Sequence, residues 1–149
     1  MRNFTIETMD GKKLAWANSN WTHLAISKGV PARLTPADTD KYVLSEKMEM
    51  DYAPRKIKLP DDMTSQESFI VQKHHLDTNH HVNNCQYICM AEDFLPEDFK
   101  VYQMRAEYKE QAKLGDIICP KAKTETGKVI VSLDNTEGKP YAIVEFQQK

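Results

Sequence analysis

The chain contains a helix-compatible stretch flanked by segments with strand character, and this pattern limits the folds open to it. Residues 83–94 hold neither proline nor glycine, and Pro96 follows them, so we predict a helix over this range. Apolar side chains cover most of its surface, and such a helix needs burial on most sides. Cys85 and Cys89 belong to this surface, and we expect both to be small buried thiols.

Strand patterns lie on both sides of this helix. Residues 68–76 predict a strand before it. The strands predicted after it cover residues 103–112, 116–125, 129–133 and 141–146. Short turns at Gly127 and Gly138 imply an antiparallel meander. A strongly curved antiparallel sheet wrapped around one long central helix would bury the apolar surface of both, so we predict an α+β hot-dog fold.

The first third of the chain has a different pattern. Phe4, Ile6 and Thr8 alternate with other residues ahead of the turn pair Asp10-Gly11, and a second strand-like run extends from residue 13 to about residue 26. Residues 31–60 then contain four prolines and many charges, which predicts a short helix near residues 36–42 and an extended linker. We interpret the basic cluster at residues 55–58 of this linker as solvated, with a landing site for an acidic partner as the alternative.

Composition and charge argue against several classes of function for this chain. The 149 residues suffice for one ordinary domain, and 40% of them are hydrophobic. The net charge of −2 argues against a nucleic-acid partner, and no apolar run approaches a membrane span. The N-terminal residues alternate at strand period and lack a signal-peptide pattern, so we expect a cytoplasmic protein. Three cysteines at these spacings do not indicate a disulfide framework.

The segment between the predicted strand and the helix carries the residues suited to chemistry. Asp77, Asn79 and His81 are spaced two apart, and in extended backbone such residues lie on one side. An imidazole can exchange a proton near neutral pH, a carboxylate can orient a donor, and an amide can hold a water or a carbonyl. Backbone N–H groups at the start of a helix favour a developing negative oxygen.

Two plainer interpretations of this segment stay open at this point. Asp and Asn ahead of a helix are often caps, and a histidine there is often a surface residue. A metal site is a third interpretation, because His74, His75, His80 and His81 form two pairs. Adjacent residues of a strand point to opposite faces, which argues against His74 and His75 sharing an ion. We therefore predict no metal and no cofactor.

Residues 76–84, followed by Tyr87 and by Glu92 with the Leu95-Pro96 ending, resemble the active-site block of the acyl-ACP thioesterase family. Two further stretches add to the resemblance. Residues 10–34 are similar to the closing strands of that family's first hot-dog lobe, and residues 107–112 resemble the strand that completes its active site. Together the three stretches span nearly the whole chain.

The resemblance implies the roles of individual residues and the organisation of the chain. Asp77, Asn79 and His81 match the family's catalytic Asp, Asn and His. The implied reaction is hydrolysis of a fatty acyl thioester on acyl carrier protein, which carries the acyl chain on phosphopantetheine. The implied organisation is the C-terminal part of a first lobe at residues 1–50, a linker at 51–66 and a complete catalytic lobe at 67–149. Pairing of sheet edges into a homodimer is a further expectation.

The sequence departs from the family pattern in two ways. The family's acidic catalytic position falls on Gln111, and the cysteine of plant members falls on Ala112. Glutamine cannot act as a carboxylate base. Neighbouring Glu110 would face the other side of a regular strand, and only a bulge would turn it toward the site. The family's first lobe begins well upstream of Met1, so the resemblance implies that only its closing strands are present.

These departures leave three functions open. The leading hypothesis is an acyl-ACP thioesterase, either impaired or relying on Asp77 and His81. A thioesterase acting on acyl-CoA is the alternative within enzymes. A non-catalytic acyl-binding or assembly subunit is the alternative from another class, and Gln111 is the residue that favours it.

Overall fold

The computed structural model describes residues 1–25 and 27–149, which form two compact units, Met1–Tyr52 and Ala53–Lys149. The elements of the first unit are β1 (Arg2–Glu7), β2 (Lys13–Ser19), β3 (Leu24–Ala25), β4 (Val30–Pro31) and α1 (Pro36–Thr39). β1 and β2 form the predicted antiparallel hairpin, and β3 pairs with β4. Ile26, where the second strand-like run was expected to end, lies outside the described residues.

The turn between β1 and β2 depends on a glycine. The N–H of Gly11 donates to the carbonyl of Thr8 (2.9 Å), and Gly11 has a φ of 84°. Only glycine adopts this left-handed conformation without a steric penalty from a side chain. The Asp10-Gly11 pair therefore reverses the chain where the sequence predicted.

The second unit is an antiparallel sheet with a nine-residue helix packed against it. Its elements in chain order are β5 (Thr64–Ser65), β6 (Phe69–Ile70), a 3₁₀ turn (Lys73–His75), α2 (Asn84–Glu92), β7 (Gln103–Tyr108), β8 (Ile117–Glu125), β9 (Lys128–Asp134) and β10 (Pro140–Gln147). The α+β class is thus confirmed. The finer hot-dog description stays a prediction. No helix among the described residues is both long and apolar enough to cross a membrane.

The order of the strands differs from the predicted meander. The sheet runs β5-β8-β9-β10-β7, with β6 also pairing with β8. Tight turns at Gly127 and Gly138 make β8, β9 and β10 consecutive neighbours. Residues 109–116, which join β7 to β8, are too many for such a turn, so β7 pairs with β10 at the far edge. This arrangement brings the end of β7 toward the start of α2, where the Tyr108 hydroxyl donates to the Asn84 carbonyl (3.3 Å).

The main core lies between α2 and one face of the sheet. Tyr87, Met90 and Ala91 of the helix are buried there. The strand residues facing them include Val129, Val131, Leu133, Val144 and Phe146. Cys85 and Cys89, expected to be buried, are exposed. The reason is that the helix packs on β9 and β10 with one face only, so its apolar pattern overstated its burial.

The strand predicted over residues 68–76 is much shorter in the structure. β6 ends at Ile70, because the N–H and carbonyl of Val71 bond to Asp116 and Gly115 instead of to a neighbouring strand. The backbone N–H of Gln72 then donates to Nδ1 of His75 (2.9 Å), which stabilises the 3₁₀ turn. Side-chain hydrogen bonds of this kind compete with strand pairing.

A segment that was interpreted as a solvated linker covers part of the opposite face of the sheet. Ile57 is only 6% exposed and packs with Ile130 and Ile143, and Met63 joins this second cluster. The backbone N–H of Ile57 also donates to Glu107 (3.1 Å). The basic cluster is therefore solvated at its charged residues but anchored in the structure through Ile57.

We expect Ile57→Ala to lower the free energy of unfolding by about 2 to 5 kcal/mol, because it removes a buried branched side chain and leaves a cavity. Urea denaturation followed by circular dichroism measures this change. Leu59→Ala is the matched control, since Leu59 belongs to the same segment but is 39% exposed. Equal small losses for the two variants would contradict the anchoring role of Ile57.

Candidate active site

Residues 77–81 form a closed loop directly ahead of α2. Leu76 and Val82 pair as an isolated antiparallel bridge, and the N–H of Asp77 donates to the carbonyl of His81 (2.8 Å). His80 has a φ of 61°, in the left-handed region that non-glycine residues seldom occupy. Asp77, Asn79 and His81 therefore do not lie along extended backbone, the geometry in which residues two apart share one side. A two-residue alternation cannot hold where the chain reverses direction.

The carboxylate of Asp77 is the centre of this loop. Its Oδ1 accepts the backbone N–H groups of Asn79 (2.8 Å) and His81 (3.3 Å). Its Oδ2 accepts the side-chain amide of Asn79 in a longer contact of 3.4 Å. The loop thus brings the three residues together around one carboxylate, by a reversal of the chain instead of by strand alternation.

The pKa of Asp77 reflects this environment. Desolvation raises the pKa of the carboxyl, but the hydrogen bonds from Asn79 and His81, aided by the charge of the His81 ring, outweigh it and hold the pKa below its ordinary value of 3.8. Asp77 and His81 are half-buried, whereas Asn79 is exposed. The site consequently contains a carboxylate that is negatively charged at neutral pH, and all three side chains are at least partly accessible to solvent.

Helix α2 begins immediately after this loop. Asn83 is its N-cap, and the Asn83 side chain accepts the backbone N–H of Cys85 (2.9 Å). The helix start and its end before Pro96 agree with the sequence prediction to within two residues. The N–H of Gln86 donates to the carbonyl of Asn83 (2.9 Å), so the N–H of Asn84 is the one left in the first turn, and this helix end carries partial positive charge beside the loop.

Gln111 lies beyond the end of a strand, because β7 stops at Tyr108. The N–H groups of Lys109 and Glu110 both donate to the carbonyl of Tyr141 (2.8 and 3.3 Å). Lys109 and Glu110 thus both lie opposite Tyr141. Such an arrangement is a β-bulge, which breaks the regular alternation of side chains. Glu110 was expected to face away from Gln111 unless a bulge turned it inward. The bulge is present, and an inward-facing Glu110 stays a prediction. The Gln111 side chain is exposed.

A backbone hydrogen bond ties this segment to the loop. The N–H of Val82, the residue after His81, donates to the carbonyl of Ala112 (2.9 Å). The N–H of Ala112 in turn donates to the hydroxyl of Tyr87 (2.9 Å). Gln111 is thereby adjacent to a residue, Ala112, that is hydrogen-bonded to Val82, and Val82 directly follows the Asp77–His81 segment. No local sequence pattern could have indicated these contacts, since their partners are far apart in the chain.

The neighbouring histidines are arranged differently from the prediction. His74 and His75 were placed on opposite faces of a strand, but they lie in a 3₁₀ turn with ring centroids 4.1 Å apart. Burial and the neighbouring His74 lower the pKa of His75, whose Nδ1 accepts the Gln72 N–H. Among the described residues, no group of three or more His, Cys, Asp or Glu side chains is placed to hold a metal ion.

Comparison with known proteins identifies the family. The sequence model of the acyl-ACP thioesterase C-terminal domain matches residues 58–147, which is more than half of the chain. The antiparallel sheet, the helix on its face and the loop ahead of that helix all lie within the matched part. The chain belongs to the acyl-ACP thioesterase family. A search of curated protein sequences finds no match.

Solved structures agree in fold. An acyl-ACP thioesterase from Bacteroides thetaiotaomicron matches with a TM-score of 0.85 at 19% identity, over 97% of this chain and 60% of that one. A candidate oleoyl thioesterase from Lactobacillus plantarum matches with a TM-score of 0.71 at 21% identity, again over 97% and 60%. A hypothetical protein from Staphylococcus aureus, in complex with CoA, matches 58% of this chain and 74% of its own with a TM-score of 0.51 at 14% identity. The chain therefore spans about three fifths of the length of the first two structures.

The hydrogen bonds of Asp77 predict a pH dependence of stability. A carboxyl with a lowered pKa in the folded state stabilises the protein at pH values above its ordinary pKa of 3.8, and this contribution is lost as the pH falls through the folded value. The stability difference between the parent protein and Asp77→Asn should therefore be present at pH 5 and shrink below about pH 4. Urea denaturation at each pH measures it.

Asp98→Asn serves as the matched control, because Asp98 is an exposed carboxylate in a turn beyond α2. Its difference from the parent protein should stay small across the same pH range. A stability difference for Asp77→Asn that does not respond to acid would contradict the role of the charged carboxylate in holding the loop.

Proposed function

We propose that the protein hydrolyses fatty acyl thioesters carried on acyl carrier protein and releases free fatty acid in fatty acid biosynthesis. The observation that carries this proposal is one loop, just ahead of a helix, in which the carboxylate of Asp77 accepts the backbone N–H groups of Asn79 and His81 and the side-chain amide of Asn79. Family membership supports the same reaction class. The acyl chain would arrive on the phosphopantetheine arm of the carrier.

In the proposed mechanism, Asn79 and His81 hold a water molecule beside the thioester carbonyl. The His81 imidazole takes a proton as the water oxygen bonds to the carbonyl carbon. The C–S bond of the tetrahedral intermediate then breaks, and the proton passes to the departing thiolate. A thiolate leaves readily, so little acid assistance is required. Asp77 keeps Asn79 and His81 in place through the hydrogen bonds to their backbones.

The oxyanion of the intermediate needs hydrogen-bond donors, and the start of α2 supplies them. The Asn83 side chain accepts the N–H of Cys85, and the Asn83 carbonyl accepts the N–H of Gln86 (2.9 Å). We therefore assign the oxyanion to the N–H of Asn84, the first helical residue, aided by the partial positive charge of the helix end. Such donors commonly provide a large part of the rate enhancement in acyl transfer.

Two alternatives are favoured by specific observations. The Staphylococcus aureus protein of similar fold is in complex with CoA, which favours an acyl-CoA substrate. The exposed Gln111, in place of an acidic residue, favours a non-catalytic acyl-binding or assembly subunit. Parallel assays with the same acyl chain on carrier protein and on CoA separate the two substrates, and the absence of turnover with both would favour the binding subunit.

We further propose the division of the chain into closing strands of a first hot-dog lobe at residues 1–50, a linker at 51–66 and a catalytic lobe at 67–149, with residues 53–66 of the linker belonging to the second compact unit. The end of the first compact unit at Tyr52 supports a boundary near residue 50. Pairing of the edge strand β7 with a second copy of the chain is the proposed route to a homodimer. A cytoplasmic location stays a prediction.

His81→Ala should lower kcat/KM for acyl carrier protein substrates by about a hundredfold or more, because it removes the proposed proton acceptor. Release of the carrier thiol, followed with a thiol-reactive dye, measures the rate. His74→Ala is the matched control, since His74 is exposed and lies outside the loop. Full activity of the His81 variant would exclude the proposed mechanism.

Gln111→Glu should raise kcat about tenfold or more if the site lacks only its carboxylate base. The same thiol-release assay measures this gain. Gln148→Glu introduces the same charge change at an exposed position near the C-terminus and should leave kcat unchanged. A decrease in kcat for Gln111→Glu would argue that the loop already works without a second carboxylate.

A further inference from the structure

A buried hydroxyl on the core face of α2 has no role in the chemistry described so far. Tyr87 is only 2% exposed, yet its oxygen accepts the N–H of Ala112, which is itself fully buried. Phenylalanine would fill nearly the same volume without placing a polar atom in the core. The hydroxyl is therefore best explained by the hydrogen bond that it accepts.

Ala112 is held from both sides. Its N–H bonds to Tyr87 in the middle of the helix, and its carbonyl accepts the N–H of Val82 (2.9 Å). Val82 pairs with Leu76 and so closes the loop that contains the candidate catalytic residues. We call the hydrogen bonds from Tyr87 through Ala112 to Val82 the Ala112 clamp.

The rest of the segment around Gln111 is also fixed. The carbonyl of Tyr141 accepts two N–H groups at its beginning. Near its end, the carboxylate of Asp116 accepts the N–H of Lys113 (2.8 Å) and the hydroxyl of Tyr141 (3.3 Å). Burial, together with the charge of Asp116, raises the pKa of Tyr141 to about 12, so its hydroxyl stays a donor at neutral pH. Gln111 therefore lies in the middle of a segment held at both ends and at Ala112.

We propose that Tyr87 is a positioning residue for the reaction: through the Ala112 clamp it sets the position of the Gln111 segment relative to the Asp77–His81 loop. This inference rests on the proposed thioester hydrolysis. Loss of the hydroxyl leaves the buried N–H of Ala112 without a partner, and the segment then shifts to reach another acceptor or water. The bond from Val82 shifts with it, so the loop and Gln111 lose their mutual position.

The test is Tyr87→Phe in the full chain, with steady-state kinetics on an acyl carrier protein substrate. We expect kcat to fall about tenfold to a hundredfold while KM changes less than about twofold, because a small displacement of reacting groups affects the chemical step more than binding. Amide hydrogen exchange should accelerate about tenfold or more at both Ala112 and Val82.

Two control variants separate positioning from general destabilisation. Tyr102→Phe makes the same chemical change at a tyrosine that is 60% exposed, and it should alter neither kcat nor exchange at Ala112. Val131→Ala weakens the same core at a fully buried position without touching the clamp. If Val131→Ala lowers kcat as much as Tyr87→Phe does, the positioning role is overturned.

The two readouts also separate this inference from the proposed function. If the parent protein hydrolyses thioesters and Tyr87→Phe retains its kcat, the positioning role is overturned while the function stands. If the parent protein hydrolyses none, the proposed function fails, and hydrogen exchange still decides whether the clamp exists. Unchanged exchange at Ala112 and Val82 overturns the clamp in either case.

Discussion

The candidate site depends on how the buried peptide groups of Ala112 are satisfied. A buried N–H or carbonyl without a partner costs as much as a lost hydrogen bond, so both groups must find partners inside the protein. They find them in the hydroxyl of Tyr87 and the N–H of Val82. One residue thereby joins the helix, the loop ahead of it and the segment beyond β7, and the relative positions of these three elements follow from two hydrogen bonds.

The order of the strands makes this junction reachable. Because β7 pairs with β10 instead of with β8, residues 109–116 must cross back toward the sheet's other strands. Their course passes the start of α2, where Tyr108 contacts the Asn84 carbonyl and Ala112 meets Tyr87. A simple meander would have given β7 a tight turn to β8 and kept Gln111 away from the loop. The edge position of β7 therefore has a consequence for the chemistry of the site.

The loop itself uses a charge to hold its shape. The carboxylate of Asp77 accepts two backbone N–H groups and the amide of Asn79, so the residue expected to orient its neighbours does so through their backbones. Here Asp77 fixes the path of the chain, and Asn79 and His81 project from a backbone already set. This rigidity is what a site that positions a water molecule requires.

Local sequence patterns were sufficient to predict several helices and strands and to indicate the family. Residue periodicity and turn residues predicted the first hairpin, the helix limits near Asn83 and Pro96, and the strands β8 to β10, because these features depend on neighbours in the chain. The motif at residues 76–84 indicated the family, which the match to residues 58–147 confirmed. The candidate residues Asp77, Asn79 and His81 were named from the sequence, and their roles stay a prediction; the structure places them in a reversal of the chain instead of along extended backbone.

Tertiary contacts decided the remainder. The exposure of Cys85 and Cys89, the burial of Ile57 and the placement of β7 beside β10 all depend on which distant segments meet. The hydrogen bonds of Ala112 belong to the same class, since Tyr87 and Val82 are remote from it in sequence. The spacing of apolar residues indicates which side of a helix or strand is apolar, but it does not indicate which other helix or strand covers that side. The sequence thus determined most of the helices and strands and named the candidate residues, and the packing of the sheet and helix decided how these segments meet.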